Sequence, residues 1–201
     1  MDKIVDNYLN GLKKAYYDQE GQEIWDDFEN IKHGISKEDE EQLKLTFPQI
    51  PESLIQLLQF VDGTYWRAYQ NEKIAFFFLG SDIQEYPYYL LDAKLIIENK
   101  NQAREYYAEF IDRKQDWVEV GKKITTDSKT ISWLHFSDCM NNGGTSQLYI
   151  DFSPSSNGKV GQVIRYLHDP DEFLVIAESF DAYLKMLIDD EFQFIVDYML
   201  E

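Results

Sequence analysis

The sequence predicts an α+β fold, a single domain in which helices pack against a largely antiparallel sheet of about six strands. The strand-like segments are joined by short turns rather than alternating with helices, an order that favours an antiparallel sheet. The 201 residues fit one domain, and no repeat or long linker divides them. Apolar residues make up 44% of the chain, which is sufficient for a core.

Helical spacing dominates the N-terminal part of the chain. Residues 1–33 form a predicted helical extension, whose first helix has an apolar stripe of Ile4, Val5, Tyr8, Leu9, Leu12 and Tyr16. Ser36 is the expected N-cap of a later helix, because acids follow it in the first turn, where the helix dipole favours them. Pro51 is expected in the first turn of the next helix, and Gly63 in a left-handed turn after that helix ends.

The middle of the chain predicts a hairpin, a loop and a broken helix. Residues 65–69 and 74–79 are the expected strands, joined by a polar turn at 70–72. Residues 80–89 form a loop rich in tyrosine and acid. Helical spacing then extends over residues 91–114, with a break near 99–101.

Four short strands and an amphipathic helix are expected between residues 131 and 188. Apolar and polar side chains alternate over residues 147–152, which predicts a strand with one buried face. The Asp169-Pro170 pair marks a turn between two of these strands. Ser179 is the expected cap of the helix, whose end is predicted within residues 189–201.

The charge balance restricts the class of partner. The chain has 37 acidic and 19 basic residues, a net charge of −18, and ten of the acids lie between Asp169 and Glu201. Binding to nucleic acid or to anionic lipid requires basic residues that neutralise phosphate, so neither partner is expected. A basic protein would instead be attracted, although the acidity could equally serve solubility alone.

No segment has the features of a targeting signal. The longest apolar run, residues 74–79, is far shorter than the ~20 residues of a membrane span. The N-terminal residues lack the apolar core of an export signal. A single cysteine, Cys139, fits a reducing compartment, and we therefore expect a cytoplasmic protein.

The search for catalytic residues identifies no active site. The three histidines lack metal-binding spacing, and a single cysteine excludes a cysteine-rich zinc site. His135 is expected to be a half-buried strand residue. His168 beside Asp169 could orient a general base, but the Asp-Pro turn explains the pair without chemistry. Asp138 should raise the pKa of the Cys139 thiol, so we predict no catalytic, cofactor-binding or metal-binding residue.

Large aromatic side chains beside acids are the composition typical of protein interfaces. Such residues occur in the predicted hairpin, in the loop that follows it and near the turns of the later strands. For each aromatic, the alternative is that it fills the core. The candidate partner-binding residues are Tyr65, Trp66, Asp82, Glu85, Tyr86, Tyr88, Asp138, Asp169, Asp171 and Glu172.

Two groups of short motifs resemble the SUKH superfamily. The first group consists of GIS at residues 34–36, FPQIPESL at 47–54 and VDGT at 61–64. The second group consists of WL at 133–134, GG at 143–144, LYID at 148–151, Gly158, GQV at 161–163, HD at 168–169 and AESF at 177–180. Their order and spacing cover about residues 34–188, which form the family core by this resemblance.

The resemblance implies an α+β fold without catalytic residues. It implies an immunity protein, which binds and neutralises a cognate toxin domain, often a nuclease, in a stoichiometric complex. A basic nuclease would fit the net charge. A regulatory scaffold with an endogenous partner, as in fungal cell-wall regulation, is the alternative within the family. An enzyme that uses His168 and Asp169 is a third hypothesis.

Overall fold

The computed structural model describes residues 2–65, 67–69, 72–84, 86–141, 144–196 and 200. It has the predicted α+β class, with a six-stranded sheet at its centre. The helices are α1 (Lys3–Asp18), α2 (Gln22–Ile31), α3 (Lys37–Thr46), α4 (Glu52–Phe60), α5 (Ala93–Glu98), α6 (Gln102–Ile111) and α7 (Phe180–Asp189). The strands are β1 (Arg67–Tyr69), β2 (Glu72–Ile74), β3 (Tyr89–Leu90), β4 (Glu119–Val120), β5 (Trp133–Asn141), β6 (Gly144–Asp151), β7 (Gln162–Leu167) and β8 (Glu172–Ala177).

The strands of the sheet follow the order β3-β5-β6-β7-β8-β4. Neighbouring strands are antiparallel except at one edge, where β4 lies parallel to β8. β1 and β2 form a separate antiparallel hairpin. Short connections between consecutive long strands explain the antiparallel pairing, because a parallel neighbour needs a long crossover.

Side-chain caps fix where several helices begin. The hydroxyl of Ser36 accepts a hydrogen bond from the Asp39 backbone N–H at 3.0 Å, and that of Ser179 accepts one from Ala182 at 3.1 Å. Both predicted caps are therefore confirmed. Asp92 caps α5 in the same way. Each cap satisfies a backbone donor that has no partner within its own helix.

Both faces of the central sheet are buried, whereas the alternation over residues 147–152 predicts one buried face. On one face, α1, α4 and α7 cover a large core that includes Leu148 and Ile150. On the other face, α6 covers a smaller core that includes Tyr149. Gln147 is buried as well. The Tyr107 hydroxyl of α6 donates a hydrogen bond to its side chain, which compensates for the loss of contact with water. The predicted alternation is therefore present, but its two sets of side chains lie in two different cores, one on each face of the sheet.

The apolar run over residues 74–79 is an irregular core segment, not the predicted strand. β2 ends where this run begins, and the run pairs with Tyr88 through an isolated bridge and with the Thr64 carbonyl through the Phe76 N–H. Carbonyls within it accept hydrogen bonds from the hydroxyls of Tyr8 and Tyr16 on α1. Helix side chains therefore satisfy two carbonyls that a neighbouring strand would otherwise bind. Residues 70 and 71 of the expected turn lie outside the described residues.

The last helix is shorter than the sequence predicts. α7 ends at Asp189, and residues 190–196 form turns and irregular structure. Glu191 and Phe192 have positive φ values of 53° and 57°, which end the helical path. The Phe192 ring is buried and lies 5.5 Å from the Tyr8 ring on α1. Burial of apolar side chains against α1 favours this turn over a longer helix.

Gly80 accommodates the close approach of an aromatic ring from this last segment. A Cβ atom at position 80 would lie 2.3 Å from the Phe194 ring, whereas one at Gly121 would meet its nearest atom at 3.4 Å. We expect Gly80→Ala to lower the free energy of unfolding by about 1–3 kcal/mol, because overpacking forces the ring to move. Urea denaturation followed by tryptophan fluorescence measures this change. Gly121→Ala is the matched control, and equal stability of the two variants would contradict the close packing.

Candidate functional site

Acidic partner-binding candidates gather at one end of the sheet. β5 passes into β6, and β7 into β8, at this end, which we call the turn end. Asp169 and Asp171 lie in the connection between β7 and β8, and Glu172 begins β8. Asp138 lies on the last part of β5. Asp82 reaches the turn end from the loop after residue 80, through an ion pair to β7.

Arg165 on β7 organises one side of the turn end. Its side chain is only 3% exposed, and a buried charge is costly unless it is paired. The Arg165 Nε atom donates to the Asp82 carboxylate at 2.6 Å, and Nη2 contacts Glu172 at 2.7 Å. Burial lowers the pKa of the Arg165 guanidinium, but these carboxylates outweigh burial, so its pKa is raised. Within the described part of the chain, the buried Nη1 atom has no hydrogen-bond partner.

A second group at the turn end surrounds Asp171. Its Oδ1 atom accepts a hydrogen bond from the Tyr166 hydroxyl at 2.7 Å and lies 2.8 Å from His168 Nδ1. The histidine therefore pairs with Asp171 and not with Asp169, because the turn brings residues three positions apart side by side. Burial, and then the hydrogen bond to Asp171, raises the pKa of Tyr166. Asp169 is exposed in a left-handed conformation, with a φ of 63°.

Asp138 belongs to a hydrogen-bond network on the α6 face of the sheet. Its Oδ1 atom lies 3.1 Å from His135 Nε2 and accepts a hydrogen bond from Gln147 Nε2 at 3.0 Å. The hydroxyls of Tyr107 and Tyr149 donate to the Gln147 Oε1 atom at 2.7 and 2.6 Å. His135 is completely buried and not half-buried as expected, since the Tyr149 ring stacks on it at 4.8 Å. Only 22% of the Asp138 side chain is exposed to solvent.

The aromatic candidates are divided between the core and the surface. Tyr88 is completely buried, with its hydroxyl 2.6 Å from Ser146 Oγ, so it fills the core. Tyr65 and Tyr86 are half-buried and pack against the larger core. Two further candidates, Trp66 and Glu85, lie outside the described residues.

A groove beside the turn end is a feature that the sequence analysis does not identify. It has a volume of about 530 Å³ and lies between α7 and the loop after residue 80. Its lining residues are Ser81, Asp82, Gln84, Ala182, Lys185, Met186, Asp189 and Asp190. The acidic C-terminal sequence is the signal that could have identified one wall. The folded structure is what brings the acidic end of α7 beside the loop after residue 80.

The chemistry available at the turn end is ion pairing and hydrogen bonding by carboxylates. Among the residues that the structure describes, no three His, Cys, Asp or Glu side chains come together as metal ligands would. Burial, and secondarily Asp138, raises the pKa of the Cys139 thiol to about 12. The direction agrees with the sequence prediction, and burial is the larger cause. None of the described helices combines the length and apolar composition that crossing a membrane requires.

A thiol with a pKa of about 12 is almost entirely neutral at pH 8, and the neutral form is a poor nucleophile. We expect Cys139 to react with a chromogenic disulfide reagent roughly a thousandfold more slowly in the folded than in the unfolded protein, because an unperturbed cysteine has a pKa of ~8.5. Stopped-flow absorbance with and without urea measures both rates. Rapid labelling of the folded protein would contradict the burial of the thiol.

The comparison with known protein families agrees with this architecture. The profile of the SMI1 / KNR4 family (SUKH-1) matches residues 34–186. The matched region begins before α3 and ends within α7, so it contains the complete six-stranded sheet and the turn end. No curated protein matches the chain significantly. Because the family profile covers well over half of the sequence, the chain belongs to the SMI1 / KNR4 family (SUKH-1).

Proposed function

We propose that this protein is a cytoplasmic immunity protein, which neutralises a cognate basic toxin domain, of nuclease type, by stoichiometric binding. Family membership supports this class, because the SUKH group includes toxin immunity proteins. The observation that carries the proposal is the position of five acids at the turn end, two of which, Asp82 and Glu172, pair with the buried cation of Arg165. The protein would act by covering its partner and not by transforming a substrate.

A nuclease and the turn end are complementary in charge. A nuclease must bind phosphate groups, and it does so with lysine and arginine side chains. A surface of carboxylates competes for the same cations, so binding there would block access of nucleic acid to the toxin. Opposite surface charges also accelerate the encounter of the two proteins.

The internal hydrogen bonds of the turn end favour binding. Asp171 is held by Tyr166, and Asp138 by Gln147, before any partner arrives. Side chains that are already ordered lose less conformational entropy when a complex forms. Exposed Asp169 would add a contact beside Asp171, and half-buried Tyr65 and Tyr86 are further candidates for contact with the partner.

Removing charge at the turn end should weaken the complex with a toxin domain encoded beside the gene of this protein. We expect Asp169→Asn with Asp171→Asn to reduce affinity by roughly two- to thirtyfold, because each surface ion pair with the partner contributes up to ~1 kcal/mol. The loss should shrink as the salt concentration rises, since salt screens exposed charges. Isothermal titration calorimetry at two salt concentrations, and growth of cells that express the toxin, are the measurements.

The matched control is Glu38→Gln with Glu41→Gln on α3. These acids are exposed, and α3 is followed by Phe47, which packs against Phe152 at the opposite end of the sheet. The control should bind and protect like the unaltered protein. If cells die despite co-expression and no 1:1 complex elutes, the proposal fails for that toxin. Recovery of an endogenous partner that binds through the turn end would favour the regulatory scaffold instead.

A further inference from the structure

The groove beside the turn end combines an apolar floor with acidic walls. Ala182 and Met186 are four residues apart on α7, so they lie on the same helix face and form the floor. Asp189 and Asp190 stand at the end of the same helix, and Asp82 stands on the facing loop. The volume of about 530 Å³ is sufficient to admit a long side chain from another protein, and the groove is open to solvent.

The loop wall of this groove is held in place from the protein interior. The Tyr183 hydroxyl of α7 donates to the Gly80 carbonyl at 2.7 Å, directly before the wall begins. Ser81 Oγ accepts a hydrogen bond from the Ile83 N–H at 3.1 Å. Arg165 holds the Asp82 carboxylate through two nitrogen atoms. The position of this acid is therefore fixed before any ligand is present.

Acidic side chains outnumber basic ones in the lining of the groove. It contains three carboxylates and one cation, Lys185, whose Nζ atom lies 2.6 and 2.7 Å from the two oxygens of Asp189. Gln84 Nε2 lies 3.5 Å from Asp190, at the limit of a hydrogen bond. The C-terminus of α7 adds the negative end of the helix dipole at the same place. Asp82 is already paired from the protein interior. A positively charged group in the groove would therefore be attracted mainly by Asp190 and the helix end.

We propose that the groove docks one arginine or lysine side chain of the basic partner, an inference that rests on the proposed function. The aliphatic part of the side chain would cover Ala182 and Met186, as long basic side chains cover apolar surface elsewhere. Its charged end would pair mainly with Asp190. The groove is continuous with the turn end through Asp82, so one partner surface would cover both.

A peptide titration tests this inference without the toxin. The probe is the peptide acetyl-Gly-Gly-Arg-Gly-Gly-amide, added to the ¹⁵N-labelled protein and followed by amide NMR shifts. We expect the shifts to concentrate in residues 81–84 and 182–190. The same peptide with norleucine in place of arginine lacks the cation and should cause no comparable shifts.

Variants of the groove should change the affinity in opposite directions. Asp190→Asn should weaken binding of the arginine peptide by about two- to fivefold, because it removes one attractive charge. Lys185→Met should strengthen binding by a similar factor, because it removes the competing cation. Asp181→Asn is the matched control on the same helix, since Asp181 accepts a hydrogen bond from Ser53 and does not line the groove.

Three results would overturn the inference: shifts that concentrate elsewhere, equal shifts with the norleucine peptide, or weaker binding by Lys185→Met. This test is separate from that of the proposed function. If the protein protects cells against the toxin but its groove does not bind the arginine peptide, only the docking inference is wrong. If the groove binds the peptide but the protein does not protect cells, only the proposed immunity function is wrong.

Discussion

The buried charge of Arg165 is the constraint on which the turn end depends. A guanidinium inside a sheet is tolerated only when carboxylates compensate for the lost hydration. Asp82 and Glu172 supply this compensation from two different parts of the chain, the loop after Gly80 and the first residue of β8. The loop is therefore tied to the sheet by charge, in addition to its apolar contacts. Without Arg165, two carboxylates would face each other with no cation between them.

The second constraint is that α6 buries the other face of the sheet. Because of this layer, Gln147, Tyr149 and His135 are held in a hydrogen-bond network that would be solvated in a two-layer fold. Asp138 lies at the border of this network, partly exposed. Burial of both faces leaves the ends and edges of the sheet and the outer sides of the helices as surfaces on which a partner can bind. The acids at the turn end occupy the first of these surfaces.

Local sequence signals predict the helix starts and the main strands, because these depend on near neighbours. Ser36 and Ser179 act through backbone groups three residues away, and both are confirmed. Features that depend on distant partners are not visible in the sequence. Arg165 has an ordinary strand context, and its partner Asp82 is 83 positions away. Tyr88 has the composition of an exposed loop, yet it is buried because β6 presents Ser146 to its hydroxyl.

The location of the acids argues for binding rather than for solubility alone. Solubility requires charge anywhere on the surface, and α3 places its acids in the first turn, where the helix dipole stabilises them. α7 does the reverse: Asp189 and Asp190 stand at its C-terminal end, and its last turn contains no basic residue. Lys185 compensates Asp189, but Asp190 stays unfavourable beside the negative end of the helix dipole, typically by 0.3–1 kcal/mol. A basic partner would compensate Asp190, so a charge that destabilises the free protein would favour the complex.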